Sequence, residues 1–479
     1  MNLNSDNSAD QVFVVLGAGP SGLATALKLL ELNYSAHVIV IEKSSDIGGL
    51  SSSVDWEGCK IDYGPHRLSG ALPEIVDFAR DLLGSDLREV QNRQKVMFKS
   101  HLYNFPFKVG SLFEPGLIWH GVRIVTSLVL TRLKLLFKPN SNDFENSLRK
   151  LSGDFLYTNL LRGMLAKTWP GKSLNFDINF VKIRFTLISI SEYVRGFLGL
   201  KGLGRTKWFY PVGGYKRICS EITRKLLKNP NFQIYTNSKV SQIFLDAEKR
   251  RIVGLSVQSE GGIQKIASSN LHLISSIPLS EIANLIAKSV GPNSKTELPR
   301  EELEIISIRL YCFLFDKSQS LKAPVYILPT QDLHLNRVFE PNLYERSNVP
   351  AGKSLVVGDL SFIHNSEIED QLPTPEIILE ELVNHKILEK SYFLKATYFD
   401  IPYAYLRPSQ QNSDTMKELK QFVGQIQNIY LLGRFGAGVY NNLDHALLSG
   451  FNLAKLISKS VPTESFEESQ WNMSHKIYN

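Results

Sequence analysis

The chain has 479 residues, 43% of them hydrophobic and 21% charged, with 32 Gly and 21 Pro. This balance excludes a collagenous, mucin-like or wholly disordered chain and suits two or three structural units. Against 47 Asp+Glu stand 54 Lys+Arg, a net charge of +7, which fits an anionic ligand or a membrane surface; no basic-aromatic module accompanies it, so nucleic acid is not the expected partner.

The first eleven residues are polar and lack a basic residue, so they do not read as a signal peptide. No run reaches the roughly 18 uncharged apolar residues that span a bilayer. The three cysteines, Cys59, Cys219 and Cys312, share no short spacing, which fits a reduced protein without a zinc or disulfide framework. A cytoplasmic protein is the expectation, with peripheral attachment to a membrane as the alternative.

Val12 to Leu16 is a short, wholly apolar run that suits a buried parallel strand. It leads into Gly17-Ala-Gly19-Pro-Ser-Gly22, then a helical pattern, then a second apolar run from His37 to Ile41 that ends on Glu42. Strand, G-x-G-x-x-G, helix, strand and acid together form the dinucleotide-binding fingerprint. Gly17 permits the tight turn, Gly19 lets backbone approach a pyrophosphate, and Gly22 lets helix and strand pack closely. Glu42 is placed to accept hydrogen bonds from a ribose hydroxyl.

Leu117 to Phe137 follows a helical period, with Ile118, Val122, Val125, Val129, Leu133 and Leu136 on one stripe. Arg123, Arg132 and Lys134 interrupt it. A helix packed onto its own domain is the plainer reading, and a helix lying on a membrane surface through 117–138 is the other.

Further glycine-rich segments follow the fingerprint. Gly48-Gly49 comes soon after Glu42, and Gly64-Pro65-His66 follows a strand-like run. Later come Pro211-Val-Gly-Gly-Tyr215, a hairpin pattern in Lys239–Asp246 and Ile252–Val257, and Leu273–Pro278. Near the end stands Gly433-Arg434-Phe-Gly436-Ala-Gly438-Val-Tyr440-Asn-Asn442-Leu-Asp444. On these motifs the chain resembles the flavoprotein superfamily of protoporphyrinogen oxidases, amine oxidases and UDP-galactopyranose mutases.

The resemblance implies FAD as cofactor. By it, Gly49, Gly64, Pro65 and His66 line the ribityl, pyrophosphate and isoalloxazine parts, Val240 meets the adenine through its backbone, and Gly433, Arg434, Gly438, Asn442 and Asp444 face the flavin. It also implies an α/β fold: a discontinuous Rossmann-type FAD domain from 10–90, 205–290 and 425–460, with an inserted mixed α+β substrate domain from 91–204, which looks helical, and 291–424, which looks strand-like. Residues 1–9 and 463–479 read as polar tails.

The family leaves the reaction open. An FAD-dependent oxidoreductase of the protoporphyrinogen oxidase-like branch, taking hydride from a small organic substrate, is the first expectation. Gly433-Arg434 departs from the amine oxidases' terminal GE-type motif, and several segments are similar to UDP-galactopyranose mutases, in which reduced flavin isomerises a UDP-sugar without net redox change. A diphosphate needs cations, and the arginine fork matches phosphate oxygens. The resemblance puts Arg184 and Arg337 in that role, with His66 and Tyr405 facing the reaction; Lys167-Thr-Trp169 also looks like a family motif. Arg67-Leu68-Ser69 departs from the mutases' bacterial pattern after His66. A non-catalytic FAD-binding protein is a third reading. The ten histidines form no H-x-x-x-H or H-E-x-x-H pair, so no metal centre is expected.

Overall fold

Five apolar segments make the central sheet. In the computed structural model, which describes residues 11–33, 35–105, 116–136, 144–171, 176–177, 207–248, 250–290, 298, 302–367 and 369–459, they lie parallel. They are β1 (Val12–Leu16), β2 (His37–Ile41), β10 (Phe232–Tyr235), β14 (Leu271–Ser275) and β20 (Ile429–Leu431), in spatial order β10-β2-β1-β14-β20. All of β1 is buried because side chains alternate between two covered faces. Phe13 and Val15 join one core with helix α1 (Pro20–Leu32) and the helix Leu443–Ser458. Val12, Val14 and Leu16 join another with the helices Leu279–Val290 and Gln410–Val423.

That second core also packs against a three-stranded antiparallel sheet of β11 (Lys239–Leu245), β12 (Ile252–Ser259) and β13 (Gly262–Ala267). The hairpin read from the sequence is its first two strands; β13 adds a third.

A seven-stranded mixed sheet forms the other large unit, in order β19-β15-β18-β17-β16-β7-β8. Its strands are β7 (Gln94–Phe98), β8 (His101–Phe105), β15 (Ile305–Phe315), β16 (Val325–Ile327), β17 (Arg337–Phe339), β18 (Ser354–Ile363) and β19 (Phe393–Leu406). β15 and β18 are central and buried almost throughout, which accounts for their nearly continuous apolar sequence. Residues 91–204 therefore begin with a hairpin before turning helical. Two small sheets, β3 (Ser53–Trp56) with β4 (Cys59–Asp62), and β5 (Leu68–Ser69) with β9 (Trp208–Pro211) and β6 (Leu87–Val90), lie between the large ones in sequence.

Among the described residues no helix is long and apolar enough to cross a membrane. Helix α2 is Pro73–Leu83 and helix α3 is Ile118–Leu136. α3 docks through Ile124 and Thr131, and Ser127 and Thr131 accept the N–H groups of Phe155 and Asp154, which open the short helix Asp154–Leu156. The predicted apolar stripe is not the face that packs: Ile118, Val122, Val125, Val129 and Leu133 are exposed.

Candidate flavin and substrate site

The glycines of the fingerprint do what local geometry requires. Gly17 has φ +99° and donates its N–H to Ile41 O at 2.8 Å, so the turn closes directly on β2. A Cβ on Gly22 would lie 2.2 Å from Gly17 O, so helix and turn meet there with no room for a side chain. Gly19, the N-cap of α1, differs: no atom lies within 4 Å of where its Cβ would sit, and no side chain caps the helix. The open face at Gly19 coincides with a helix N-terminus whose first N–H groups have no intrahelical acceptor.

Two distant glycine segments come to that place. Gly49 (φ +52°) approaches Gly19 Cα, 3.4 Å from its would-be Cβ, and Gly48 N–H donates to Ala18 O at 2.9 Å. Gly433 (φ +75°) lies beside Ser21, the second residue of α1. The glycine pair after Glu42 and the C-terminal glycine turn thus flank one helix end. Farther along, a Cβ on Gly438 would meet Met416 Cε at 2.4 Å. Asn442 caps the helix Leu443–Ser458, and Asp444 is buried in its first turn.

Glu42 holds the turn. It accepts from Ala18 N–H and Ser44 N–H, at 2.8 and 2.9 Å, and from Ser44 Oγ. Its own carbonyl accepts from Ser238 N–H, which brings the start of β11, and with it Val240, beside β2.

His66 marks the passage from the glycine turns to the other unit. Its ring lies 5.1 Å from Tyr215 and its Nδ1 is buried without a hydrogen-bond partner. Burial, with the nearby charges of Arg337 and Arg434, pushes its pKa down to about 3, so the imidazole is neutral near pH 7. Behind it stands a group not assigned from the sequence. Buried Asp62 accepts from Tyr210 OH (2.6 Å), Ser53 Oγ (2.6 Å) and Tyr215 N–H (3.0 Å), and Asn348 donates to Tyr210 OH. This network ties the Gly64-Pro65-His66 segment to the Pro211–Tyr215 turn. A lone carboxylate within the buried strand Cys59–Asp62 was its sequence signal.

Arg337 opens β17 directly opposite Asp359 of β18. Its Nε donates to the buried Asp359 carboxylate, while its two outer nitrogens have no hydrogen-bond partner among the described residues. Lys167 lies near the same carboxylate; burial pushes its pKa down to about 7, and it donates to the carbonyls of Leu328 and Thr330 at 2.6 and 3.0 Å. Burial pushes the Asp359 pKa up, against the opposing pull of Arg337 and Lys167. Neither Asp359 nor the role of Lys167 was legible, because strand register creates the pairing.

Tyr405 is brought in by an irregularity in β19. Ile306 and Ile308 of β15 pair with Tyr405 and Ile401, so β19 carries two extra residues there, and Tyr403 within them has φ +59°. Tyr405 and Tyr440 stack nearly parallel, 6.0 Å apart, and the Arg434 guanidinium lies over both rings at 5.0 and 5.2 Å. Arg434 also donates to the carbonyls of Ala404 and Asn441, binding the C-terminal turn to β19. Its position is thus one of bridging turn and strand. Arg184 lies outside the described residues.

No curated protein matches the sequence. Solved structures resemble it over nearly its whole length. A reduced UDP-galactopyranose mutase has a TM-score of 0.77 at 20% identity, covering 98% of this chain and 97% of that chain. A protein assigned as a protoporphyrinogen oxidase from Exiguobacterium sp. 255-15 has 0.66 at 15%, covering 94% and 99%. A putrescine oxidase bound to putrescine has 0.57 at 16%, covering 94% and 99%. At these identities the likeness is one of fold, shared by oxidases and a mutase alike. The sequence itself matches the family described as flavin containing amine oxidoreductase over residues 20–307. That span runs from the first residue of α1 through β14 and into β15, more than half of the chain, and the chain belongs to that family.

Proposed function

We propose that the protein is an FAD-dependent enzyme whose substrate carries a phosphate or diphosphate, and that isomerisation of a UDP-sugar on reduced flavin is its best-supported reaction. The cradle fits the cofactor. Gly19 leaves an open face at a helix N-terminus, Gly49 and Gly433 border it without side chains, and Glu42 with the start of β11 lies on the adenosine side. The unpaired Nδ1 of His66 is a polar atom in want of a partner on the flavin side. When bound, FAD supplies the reactive ring, a hydride acceptor when oxidised and an electron-rich nucleophile when reduced.

The observation that carries the substrate reading is Arg337. Asp359 holds its Nε, the outer nitrogens have no hydrogen-bond partner among the described residues, and its charge acts on His66 and interacts with Tyr405 and Tyr440. A guanidinium held at one edge and open at the other suits bidentate contact with phosphate oxygens. The space between Tyr405 and Tyr440, where a cationic amine would seek aromatic faces, already has the Arg434 cation over both rings. Arg337 and Arg434 together repel an ammonium substrate and attract an anionic one. Neutral His66 offers one donor and one acceptor nitrogen without adding charge.

Hydride transfer from an organic substrate is the second reading, favoured by the family match itself. One comparison separates the two. Anaerobic protein reduced with dithionite is incubated with UDP-galactopyranose and the products resolved by chromatography. Oxidised protein is assayed for dioxygen consumption with amine, tetrapyrrole and carotenoid substrates. Interconversion of pyranose and furanose by the reduced form alone is expected. Turnover confined to the oxidised form, with dioxygen consumed, overturns the mutase reading. Protein that neither carries FAD nor takes it up sinks both.

A further inference from the structure

The geometry points to a surface that binds anionic lipid, formed by the outward face of α3. Half of the exposed large hydrophobic side chains in the described structure, seven of fourteen, lie on this one helix. Trp119 is 79% exposed, and Val122, Val125, Val129, Leu130 and Leu133 are each about half exposed. Isolated exposed apolar residues are ordinary, whereas a contiguous set on one element marks an interaction site.

The arrangement around the helix is specific. At 3.6 residues per turn, the exposed apolar residues occupy an arc of roughly 140°. Arg123 and Lys134 fall along one edge of that arc and Arg132 along the other. Ile124, Ser127 and Thr131 point the opposite way, into the protein. The anchored side therefore holds the helix in place and presents the apolar side outward. Between Pro115 and Asn142 there is no acidic residue.

Charge decides which occupant this face suits. A second copy of the chain meeting it across a twofold axis would place cations against cations, with no acidic residue on either helix to neutralise them. An anionic bilayer surface supplies the missing negative charge. It also accepts the apolar arc in its acyl region and the indole of Trp119 at its headgroup boundary. The proposal concerns where the enzyme works, and it stands whichever reaction the flavin site performs.

Full-length protein is tested by flotation with vesicles of phosphatidylcholine alone and of phosphatidylcholine mixed with phosphatidylserine. Binding to the mixed vesicles only, weakened by salt, is expected. Neutralising Arg123 and Lys134 to Gln should weaken it by about fivefold for each charge removed. The triple variant Trp119→Ser, Val125→Ser, Val129→Ser should abolish binding while keeping the thermal transition, since all three side chains face solvent. The native cysteines are buried, so in a Val125→Cys variant maleimide reports on this face selectively. Rapid labelling in lipid-free protein and protection by the mixed vesicles support the proposal. Protection that grows with protein concentration means self-association and overturns it. Protection in dilute lipid-free protein means that the chain covers its own helix and also overturns it, as does labelling that mixed vesicles leave unchanged.

Discussion

Replacing Arg337 by Met tests whether the site is built on the Arg337–Asp359 pair. The Asp359 side chain is buried, its Oδ2 accepts from Arg337 Nε, and its Oδ1 has no hydrogen-bond partner. Truncating one partner of a buried charge pair costs about 2–5 kcal/mol, most of it from the charge left behind. About a third of the Arg337 side chain is exposed, so solvent screening moves the expected loss to roughly 2–3 kcal/mol. Lys167 cannot substitute fully, because burial holds its pKa down at about 7 and its side-chain nitrogen already donates to two backbone carbonyls. The sign of the pH dependence follows from Asp359, whose pKa is raised by burial and rises further without Arg337. A carboxyl with a folded pKa above its unfolded value destabilises once pH exceeds the unfolded value. The Arg337→Met loss should therefore be small near pH 4 and grow as pH rises through the raised pKa. Denaturant unfolding across this pH range measures it. Adding Asp359→Asn should recover most of the stability, while any activity towards UDP-galactopyranose stays lost. A single variant as stable as wild type at pH 8, or a double variant no better than the single, would refute the account.

Two glycines of one motif should differ in their effect on stability. Gly19→Ala, at φ −75° with open space for its Cβ, should leave the thermal transition within about 1 kcal/mol of wild type and weaken flavin retention, read from absorbance after desalting. Gly22→Val, with its Cβ 2.2 Å from Gly17 O, should reduce both stability and flavin content; equal behaviour of the two variants would mean the turn is misassigned. His66, with its pKa down at about 3, should show no imidazole titration by NMR between pH 5 and 8. Because that folded pKa lies below the unfolded value, its contribution to stability is present above pH 6.5 and is lost as pH falls towards 3; titration near pH 6.5 would show that burial and the two arginines do not act on it.

What was legible in the sequence was legible for a local reason. The glycine turn needs a backbone that only glycine readily adopts at Gly17 and space that only glycine leaves at Gly22, so spacing along the chain carries the geometry. β1, β2 and β14 announce themselves as apolar runs because both faces of the sheet are covered. Asp359 gave no such signal. It sits among apolar neighbours in β18 and acquires its role only because the register sets it opposite Arg337. Tyr405 likewise depends on two extra residues in β19, a feature of pairing rather than of composition. The stripe on α3 was legible as a stripe, but periodicity reports which residues share a face and not whether that face turns inward. Ser127 and Thr131, which fix the orientation, are polar residues that an apolar period overlooks.

The placement of Arg434 bears on how one fold supports different chemistries. In this chain the guanidinium spans from the C-terminal glycine turn to Ala404 on β19 and lies over Tyr405 and Tyr440. The turn belongs to the segment that flanks the end of α1, whereas β19 belongs to the seven-stranded sheet. One side chain therefore bridges the C-terminal glycine turn to a strand of the other large sheet and adds positive charge between them. An acidic residue in its place would reverse the sign of that charge and lose both carbonyl hydrogen bonds, since a carboxylate donates none. Arg434 thus couples two properties that could otherwise vary separately, the rigidity of the turn and the sign of the field at His66. That coupling is why a single departure from an amine-oxidase motif argues for an anionic substrate.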